Sequence, residues 1–199
     1  ALLGWNDGTD KEIFSLDELS QSFDLSRVHK SGAKFDPEKN KWFNHQYLVK
    51  QDDETLAKAF APILYAKGID VDYSTLVRIV SLIKERAHFV SEFWDLADYF
   101  FVAPSSYDEK AAKNWKEDTP QLMQRVIEVL SGIEDFASAN IETILKDWMA
   151  QNEIGMGKVM QPFRLSLVGA LKGPHLFDIA EMIGKDETVS RIQKAINTL

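Results

Sequence analysis

Apolar residues recur at intervals of three and four along most of this chain, which is the spacing of an amphipathic α-helix. The clearest example is one apolar stripe between Ser74 and Ala87, formed by Leu76, Ile79, Val80, Ile83 and Ala87. The segment 91–101, SEFWDLADYFF, is apolar on nearly every side and predicts a short buried helix. Strand patterns are weak and confined to the neighbours of Val102 and to residues 34–36. The pattern therefore predicts an all-α protein of about ten helices with a less regular N-terminal part.

Capping residues and helix breakers give the expected bounds of the helices. Ser15 and Glu18 form a capping box in front of an apolar run. Asp36-Pro37 supplies an N-cap followed by proline at the first helical position. Pro62 predicts a kink or break in the helix that contains it. Further helices are predicted at residues 53–67, 91–101, 119–130, 134–151, 162–171, 176–183 and 186–196.

The loop at Pro104, in the sequence APSS, is the clearest interruption of this helical pattern. We interpret it as a boundary between two helical bundles, and we place a softer boundary near Lys50. The chain is therefore expected to divide into residues 1–50, 51–103 and 104–199.

Composition narrows the class of protein. The chain has 199 residues, of which 45% are apolar, so a sizeable core can be buried. The absence of cysteine excludes disulfides and cysteine-based metal or thiol chemistry, and it favours a reducing, cytoplasmic location. No apolar run approaches the roughly 20 residues that span a bilayer, and no signal-peptide pattern is present, so no membrane partner is expected. The chain begins ALLGWNDG, without Met, which we interpret as the start of a piece of a longer protein.

Charge is unevenly distributed along the chain. The formal net charge of −8 argues weakly against a nucleic-acid partner, yet the segment Ile154–Phe177 contains no Asp or Glu. A second segment is mainly basic, with Arg27, Lys30, Lys34, Lys39, Lys41 and Lys50 against Asp36 and Glu38. From the residues alone, such clusters are compatible with phosphate contacts or with ordinary solvated helix faces.

The acid-free segment has an unusual pattern of its own. We predict that a helix starts at Pro162, ends at Gly173-Pro174 and carries Arg164 in its first turn. Its expected buried stripe is Leu165, Val168 and Leu171, and its other face consists of Ser166, Gly169, Ala170 and Gly173. Such small residues admit either another helix or a flat ligand. Because the helix dipole disfavours a cation in the first turn, Arg164 is expected to meet an anion or a base.

No catalytic constellation and no metal site is predicted. GxSxG is absent, and none of the four histidines has a partner at metal-ligand spacing. The glycines of residues 155–157 and 169–173 fit neither a dinucleotide fingerprint nor a phosphate-binding loop. Asp95 and Asp98 share a helix face, which we interpret as solvated.

Several stretches resemble the bacterial glutamyl-tRNA synthetases, in the order that this family has them. MQPFRLSLVGALKGPHLFDIAEMIGKDETVSRI is similar to the C-terminal anticodon-binding signature of the family. LVRIVSLIKERAHFVSEFWDLADYFF is similar to its first anticodon bundle, and ALLGWNDGTDKEIFSLDEL and FDLSRVHKSGAKFDPEKNKWFNHQYL to its stem-contact region. The resemblance implies an all-α fold in which residues 1–50 end the stem-contact region and residues 51–103 and 104–199 form two anticodon-binding subdomains.

The resemblance also implies a tRNA partner and a catalytic site that lies outside this chain. The HIGH and KMSKS-type motifs of the family's catalytic half are absent from this chain. A C-terminal fragment of a class I ligase, inactive alone, is therefore expected, with ATP and Mg bound by the missing catalytic domain and no cofactor here. The implied partner is tRNA(Glu), at its anticodon loop and inner corner, with no DNA or membrane partner and a monomeric state. The alternatives are a freestanding helical interaction scaffold without RNA specificity and a self-sufficient enzyme.

The family motifs carry functional expectations to individual residues. Arg86 matches the family's anticodon-reading arginine, although from the residues alone it is a cation at a helix C-terminus. Arg164 matches the arginine of the QP-x-R motif. The expected walls for unstacked anticodon bases are Gly173, Pro174, Leu176 and Phe177. The expected contacts to the tRNA backbone are Arg27, Lys30, Lys34, Lys41 and Lys172.

Overall fold

The computed structural model describes residues 3–29, 32 and 34–199, and within them it contains eleven α-helices and no β-strand. The helices are α1 (Leu16–Ser22), α2 (Pro37–Lys50), α3 (Asp53–Ala66), α4 (Tyr73–Ile83), α5 (Phe93–Phe101), α6 (Glu109–Ala112), α7 (Thr119–Ser131), α8 (Ser138–Gln151), α9 (Met156–Val168), α10 (Leu176–Ile183) and α11 (Lys185–Thr198). Short 3-10 turns lie at Leu25–Arg27, Lys84–Arg86 and Val90–Glu92. The predicted all-α class is confirmed. In the described part of the chain, no helix is both long enough and apolar enough to cross a membrane.

The helix starts that were predicted from capping residues are confirmed. Ser15 Oγ accepts the Glu18 amide at 3.2 Å, while Glu18 Oε2 accepts the Ser15 amide at 2.8 Å, which completes the capping box of α1. Asp36 Oδ1 accepts two amides of the first turn of α2, at 3.0 and 3.2 Å, and Pro37 is the first helical residue. These contacts satisfy amides that have no partner inside the helix.

The N-terminal part has a small aromatic cluster of its own. Trp5 is 2% exposed and packs against Phe14 and Phe23, with ring centroids 6.3 and 5.6 Å away. An isolated antiparallel bridge between Trp5 and Val28 closes this part. Residues 34–36 and the neighbours of Val102, where weak strand patterns were noted, form no strand. The Tyr47 hydroxyl donates to the Phe14 carbonyl at 2.9 Å, which joins α2 to this cluster.

The main core is one continuous cluster of buried apolar residues that extends from Leu48 to Ile192. In it α3 packs on α4, α7 packs on α9 and α11, and α10 packs on α8 and α5. The cluster therefore crosses the loop at Pro104. The division into residues 51–103 and 104–199 stays a prediction.

Two expectations concern prolines inside helices. α3 continues through Pro62, so the break that was one of the two predicted outcomes is absent, while the other outcome, a kink, stays a prediction. α9 begins at Met156, with Gly155 in extended conformation as its N-cap, so Pro162 lies inside the helix and not at its start. The proline removes only the hydrogen bond to the carbonyl of Lys158, which is an exposed residue. α9 ends at Val168 because Gly169 adopts φ +78°, a left-handed helix cap, and Leu171 lies beyond the helix and is 45% exposed.

Candidate nucleic-acid interface

Arg86 lies at the end of the 3-10 turn that continues α4. The helix forms because Asp72 caps its first turn and because one stripe of apolar residues is buried, namely Leu76, Ile79, Val80 and Ile83. The Arg86 side chain is exposed, and its Nη1 donates to the Leu82 carbonyl at 3.1 Å. That bond complements the helix C-terminus, but it uses only one of the five N–H donors of a guanidinium. The remaining donors are available to a ligand.

Arg164 lies in the third turn of α9, so its predicted place in a first turn is wrong because the helix begins earlier. The side chain is half-buried, and its Nη1 donates to the carbonyls of Lys172 and Pro174 at 2.9 and 2.8 Å. Arg164 therefore holds the turn between α9 and α10. Burial lowers the pKa of the Arg164 guanidinium, and the positive charge of Arg86 acts in the same direction.

Tyr99 of α5 lies beneath that turn. It is 2% exposed, and a Cβ atom on Gly173, whose φ is +98°, would lie 2.9 Å from the Tyr99 hydroxyl oxygen. This oxygen is buried without a hydrogen-bond partner among the described residues. Burial and the charge of Asp98 raise the pKa of Tyr99, while Arg86 and Arg164 oppose that rise. Hydrogen bonds and packing thus join Arg164, the turn and Tyr99, and the positive charge of Arg86 acts on both Tyr99 and Arg164.

The two arginines carry positive charge without a counterion in the described part of the chain. Neither Arg86 nor Arg164 forms an ion pair there. The segment Ile154–Phe177, which contains Arg164, supplies no carboxylate. Two guanidinium groups within each other's field create a local positive potential in an otherwise acidic chain. Such a surface suits phosphates or the acceptor edge of a base.

Of the two alternatives for the small-residue face, close packing against another part of the chain is observed at Ser166 and Gly169, and no open groove for a flat ligand lies there. Ser166 is fully buried and donates to the Pro162 carbonyl at 2.8 Å. A Cβ atom on Gly169 would meet the Ser106 carbonyl oxygen at 2.7 Å and the Pro104 Cβ at 2.9 Å. The glycine therefore admits the Pro104 loop, which packs closely against the end of α9.

The expected base-contacting walls are also largely buried. Leu176 and Phe177 are 4% and 3% exposed, and Pro174 is buried as well, so their side chains support the turn from below. Gly173 is half-exposed, which leaves its backbone at the surface. These three apolar side chains therefore offer little exposed surface, and their contact with anticodon bases stays a prediction.

The cations expected at the tRNA backbone occupy different surroundings. Arg27, Lys34 and Lys172 are exposed, and Lys172 Nζ donates to the Asp95 carbonyl at 3.2 Å. Lys41 pairs with Glu38 at 2.9 Å, and this partner raises the pKa of the lysine. A further member of this set, Lys30, lies outside the described residues.

The sequence analysis did not identify Arg191 as a buried arginine with a structural role. Arg191 of α11 is 2% exposed, and its Nη1 donates to the carbonyls of Tyr99 and Leu167 at 2.6 and 2.9 Å. The signal was available, because Arg191 shares a helix face with the buried residues Thr188, Ile192 and Ala195. Within the described residues, no group of three or more acidic or histidine side chains is arranged to hold a metal ion.

The described residues are helical and include two arginines, Arg86 and Arg164, without a carboxylate partner, which are features of a helical binding domain. The chain belongs to the anticodon-binding domain family, because the family model described as "Anticodon binding domain" matches residues 55–196.

The relatives extend this similarity to the whole chain. The glutamate–tRNA ligase of Flavobacterium johnsoniae is 76% identical over 199 residues, and that of Christiangramia forsetii is 50% identical over 200 residues. Each comparison covers 100% of this chain and 40% of the relative. The crystal structure of a glutamate tRNA ligase from Elizabethkingia meningosepticum in complex with its amino acid matches with a TM-score of 0.94 at 46% identity, covering 100% of this chain and 39% of that one. The resemblance to glutamyl-tRNA synthetases is confirmed, and the chain spans about 40% of the length of these relatives.

Proposed function

We propose that this chain is the part of a glutamate–tRNA ligase that binds the anticodon loop of tRNA(Glu). The observation that carries the proposal is that Arg86 and Arg164 bind only backbone carbonyls and have no carboxylate partner in the described residues, so each keeps guanidinium donors for a ligand. Membership of the anticodon-binding domain family supports RNA recognition over a freestanding scaffold. A scaffold would also gain nothing from two arginines without carboxylate partners.

Arg86 is the proposed reader of the last anticodon base. Glutamate anticodons end in cytosine, whose pairing edge offers the adjacent acceptors O2 and N3, and a guanidinium offers only donors. Glutamine anticodons end in guanine, which would place N–H donors against the donors of Arg86. An unpaired polar contact of this kind costs about 1–3 kcal/mol, which corresponds to a preference of about fivefold to somewhat more than a hundredfold.

Arg164 and the turn Lys172–Pro174 are proposed to form a rigid surface, here called the platform, on which the anticodon loop lies beside Arg86. The two hydrogen bonds from Arg164 Nη1 to the turn support a fixed backbone, while the other guanidinium nitrogens remain available. The exposed backbone of Gly173 can approach RNA closely. Leu176 and Phe177 serve this platform from below as packed supports.

The exposed cations are proposed to contact the tRNA backbone. Arg27, Lys34 and Lys41 would lie toward the inner corner of the tRNA, and Lys172 would lie beside the anticodon loop. Phosphate contacts position the RNA and carry no sequence information, so these residues would add affinity without selectivity.

The catalytic work of the ligase is proposed to lie in the part of the relatives that this chain does not cover. ATP, Mg and glutamate would bind there. This chain would supply tRNA recognition and would not catalyse aminoacylation alone.

The test is fluorescence-anisotropy binding of two anticodon stem-loops that differ only in their last anticodon base, cytosine or guanine, at one fixed salt concentration. We expect the cytosine loop to bind about ten times more tightly or better, and Arg86→Gln to bring the two affinities together. Arg78→Gln is the matched control, because Arg78 is an exposed arginine of α4, the helix that leads into the Arg86 turn, and it pairs with Glu181 at 2.5 Å. It should leave the ratio unchanged.

Other outcomes would change the assignment. Equal, salt-sensitive binding of both loops would leave a phosphate-binding module without a reader. No binding of either loop by the wild-type chain would favour the scaffold.

A further inference from the structure

The backbone that follows Arg86 is held by side chains of α2, which belongs to the N-terminal part of the chain. His45 Nδ1 lies 2.7 Å from the Ala87 carbonyl oxygen, and Asn44 Nδ2 donates to the His88 carbonyl. Because a carbonyl oxygen only accepts, His45 must carry a proton on Nδ1 in this contact. Two consecutive carbonyls directly after Arg86 are therefore tied to one helix.

These contacts come at the point where the helix no longer determines the backbone. Ala87 is extended, with φ −100° and ψ 145°, and its amide donates the last hydrogen bond of the 3-10 turn, to the Lys84 carbonyl at 3.2 Å. On the amide side, Glu92 Oε2 accepts the amide of His88 at 2.7 Å. Side chains therefore hold both the carbonyls and an amide of the segment that continues from Arg86.

The face of α2 that makes these contacts also carries a proposed RNA contact. Lys41, Asn44 and His45 are spaced by three and four residues and share one helix face. The contacts of Asn44 and His45 with the carbonyls of His88 and Ala87 show that this face is turned toward the segment that follows Arg86. α2 thus connects Lys41, which is expected to contact the tRNA backbone, with the segment that follows Arg86, which is expected to contact the anticodon.

We propose that His45 and Asn44 are positioning residues for anticodon recognition, which act by fixing the backbone that carries Arg86. This inference rests on the proposed function, since it requires Arg86 to be the reader. Neither residue needs to touch RNA in this role. Their loss should lower the selectivity for the last anticodon base and leave the salt-dependent, sequence-independent affinity unchanged.

The test measures the ratio of the affinities for the cytosine and guanine stem-loops, together with the slope of affinity against salt. We expect His45→Ala to lower the ratio about threefold to tenfold, the factor that one hydrogen bond typically contributes, with an unchanged salt slope. His45→Asn places an amide donor near the position of Nδ1 and should retain the ratio within about twofold. Gln46→Ala, on the same helix, is the control. Asn44→Ala is the second variant if His45→Ala does not fold, as judged by circular dichroism.

A double-mutant cycle separates this inference from the proposed function. If His45 acts through Arg86, His45→Ala should have no further effect in the Arg86→Gln background. An unchanged ratio in both His45→Ala and Asn44→Ala, with a lowered ratio in Arg86→Gln, would overturn the inference and leave the proposed reader intact. The inference would also be overturned if His45→Ala lowered the affinity ratio by the same factor in the wild-type and the Arg86→Gln backgrounds. An unchanged ratio in Arg86→Gln would overturn both proposals.

Discussion

At the scale of single residues, Gly173 is required by the residues beneath it. Its φ of +98° is one that side-chain-bearing residues rarely adopt, and an added Cβ would lie 2.9 Å from the Tyr99 hydroxyl oxygen and 3.4 Å from Ile179 Cδ1. The sequence revealed the run of small residues but not their neighbours. Tyr99 comes more than 70 residues earlier in the chain, so spacing along the chain could not identify it as the reason for the glycine.

Gly173→Ala should therefore destabilise the protein by about 1–3 kcal/mol, from backbone strain and the contact with Tyr99. In a Tyr99→Phe background the loss should be smaller, because the nearest atom is removed while the strained φ remains. Urea unfolding of the four combinations measures this coupling. Gly157→Ala is the control, since Gly157 lies in α9 with open space around it and should gain up to about 1 kcal/mol. Equal stability of Gly173→Ala and wild type would contradict this account.

At the scale of helices, the sequence predicted features that depend on neighbouring residues, such as N-caps, but it did not predict the contacts between helices. The capping boxes and N-caps at Ser15 and Asp36 depend on residues within one turn, so the sequence identified them correctly. The start of α9 was misplaced because proline favours a first turn only statistically, and Gly155 supplied an earlier start. Arg86 was placed correctly at a helix end, but the contacts of α2 with the backbone that follows it involve residues more than 40 positions apart.

The buried contacts of Arg191 were likewise not predictable from the sequence, and they lead to a prediction for α11. Arg191→Met should destabilise the protein by about 3 kcal/mol, because the buried carbonyls of Tyr99 and Leu167 lose their donor. Lys194→Met is the matched control on the same helix. Lys194 donates to the Pro104 carbonyl at 2.7 Å from an exposed position, and its loss should cost less than about 1 kcal/mol. Chemical denaturation monitored by circular dichroism distinguishes the two, and equal losses would refute an internal structural role for Arg191.

At the scale of the whole molecule, the described residues contain a large continuous core and a small separate aromatic cluster. The core extends on both sides of Pro104, and Arg191 joins α5 to α9 and α11. Trp5 and its two phenylalanine neighbours pack apart from that core. A cluster of this size buries little apolar surface and should open more easily than the rest.

Native-state hydrogen exchange should therefore reveal two levels of stability with a division that does not fall at Pro104. Amides of α4 and α9 should share one opening free energy, because both helices belong to the same core. The amide of His29, which donates to the Gly4 carbonyl at 2.8 Å beside Trp5, should exchange at a lower opening free energy. Arg191→Met should lower the values for α4 and α9 equally, since it weakens a contact that both parts of the core share. Distinct values for α4 and α9, with only α9 affected by the substitution, would instead establish the two bundles predicted from the sequence as independent folding units.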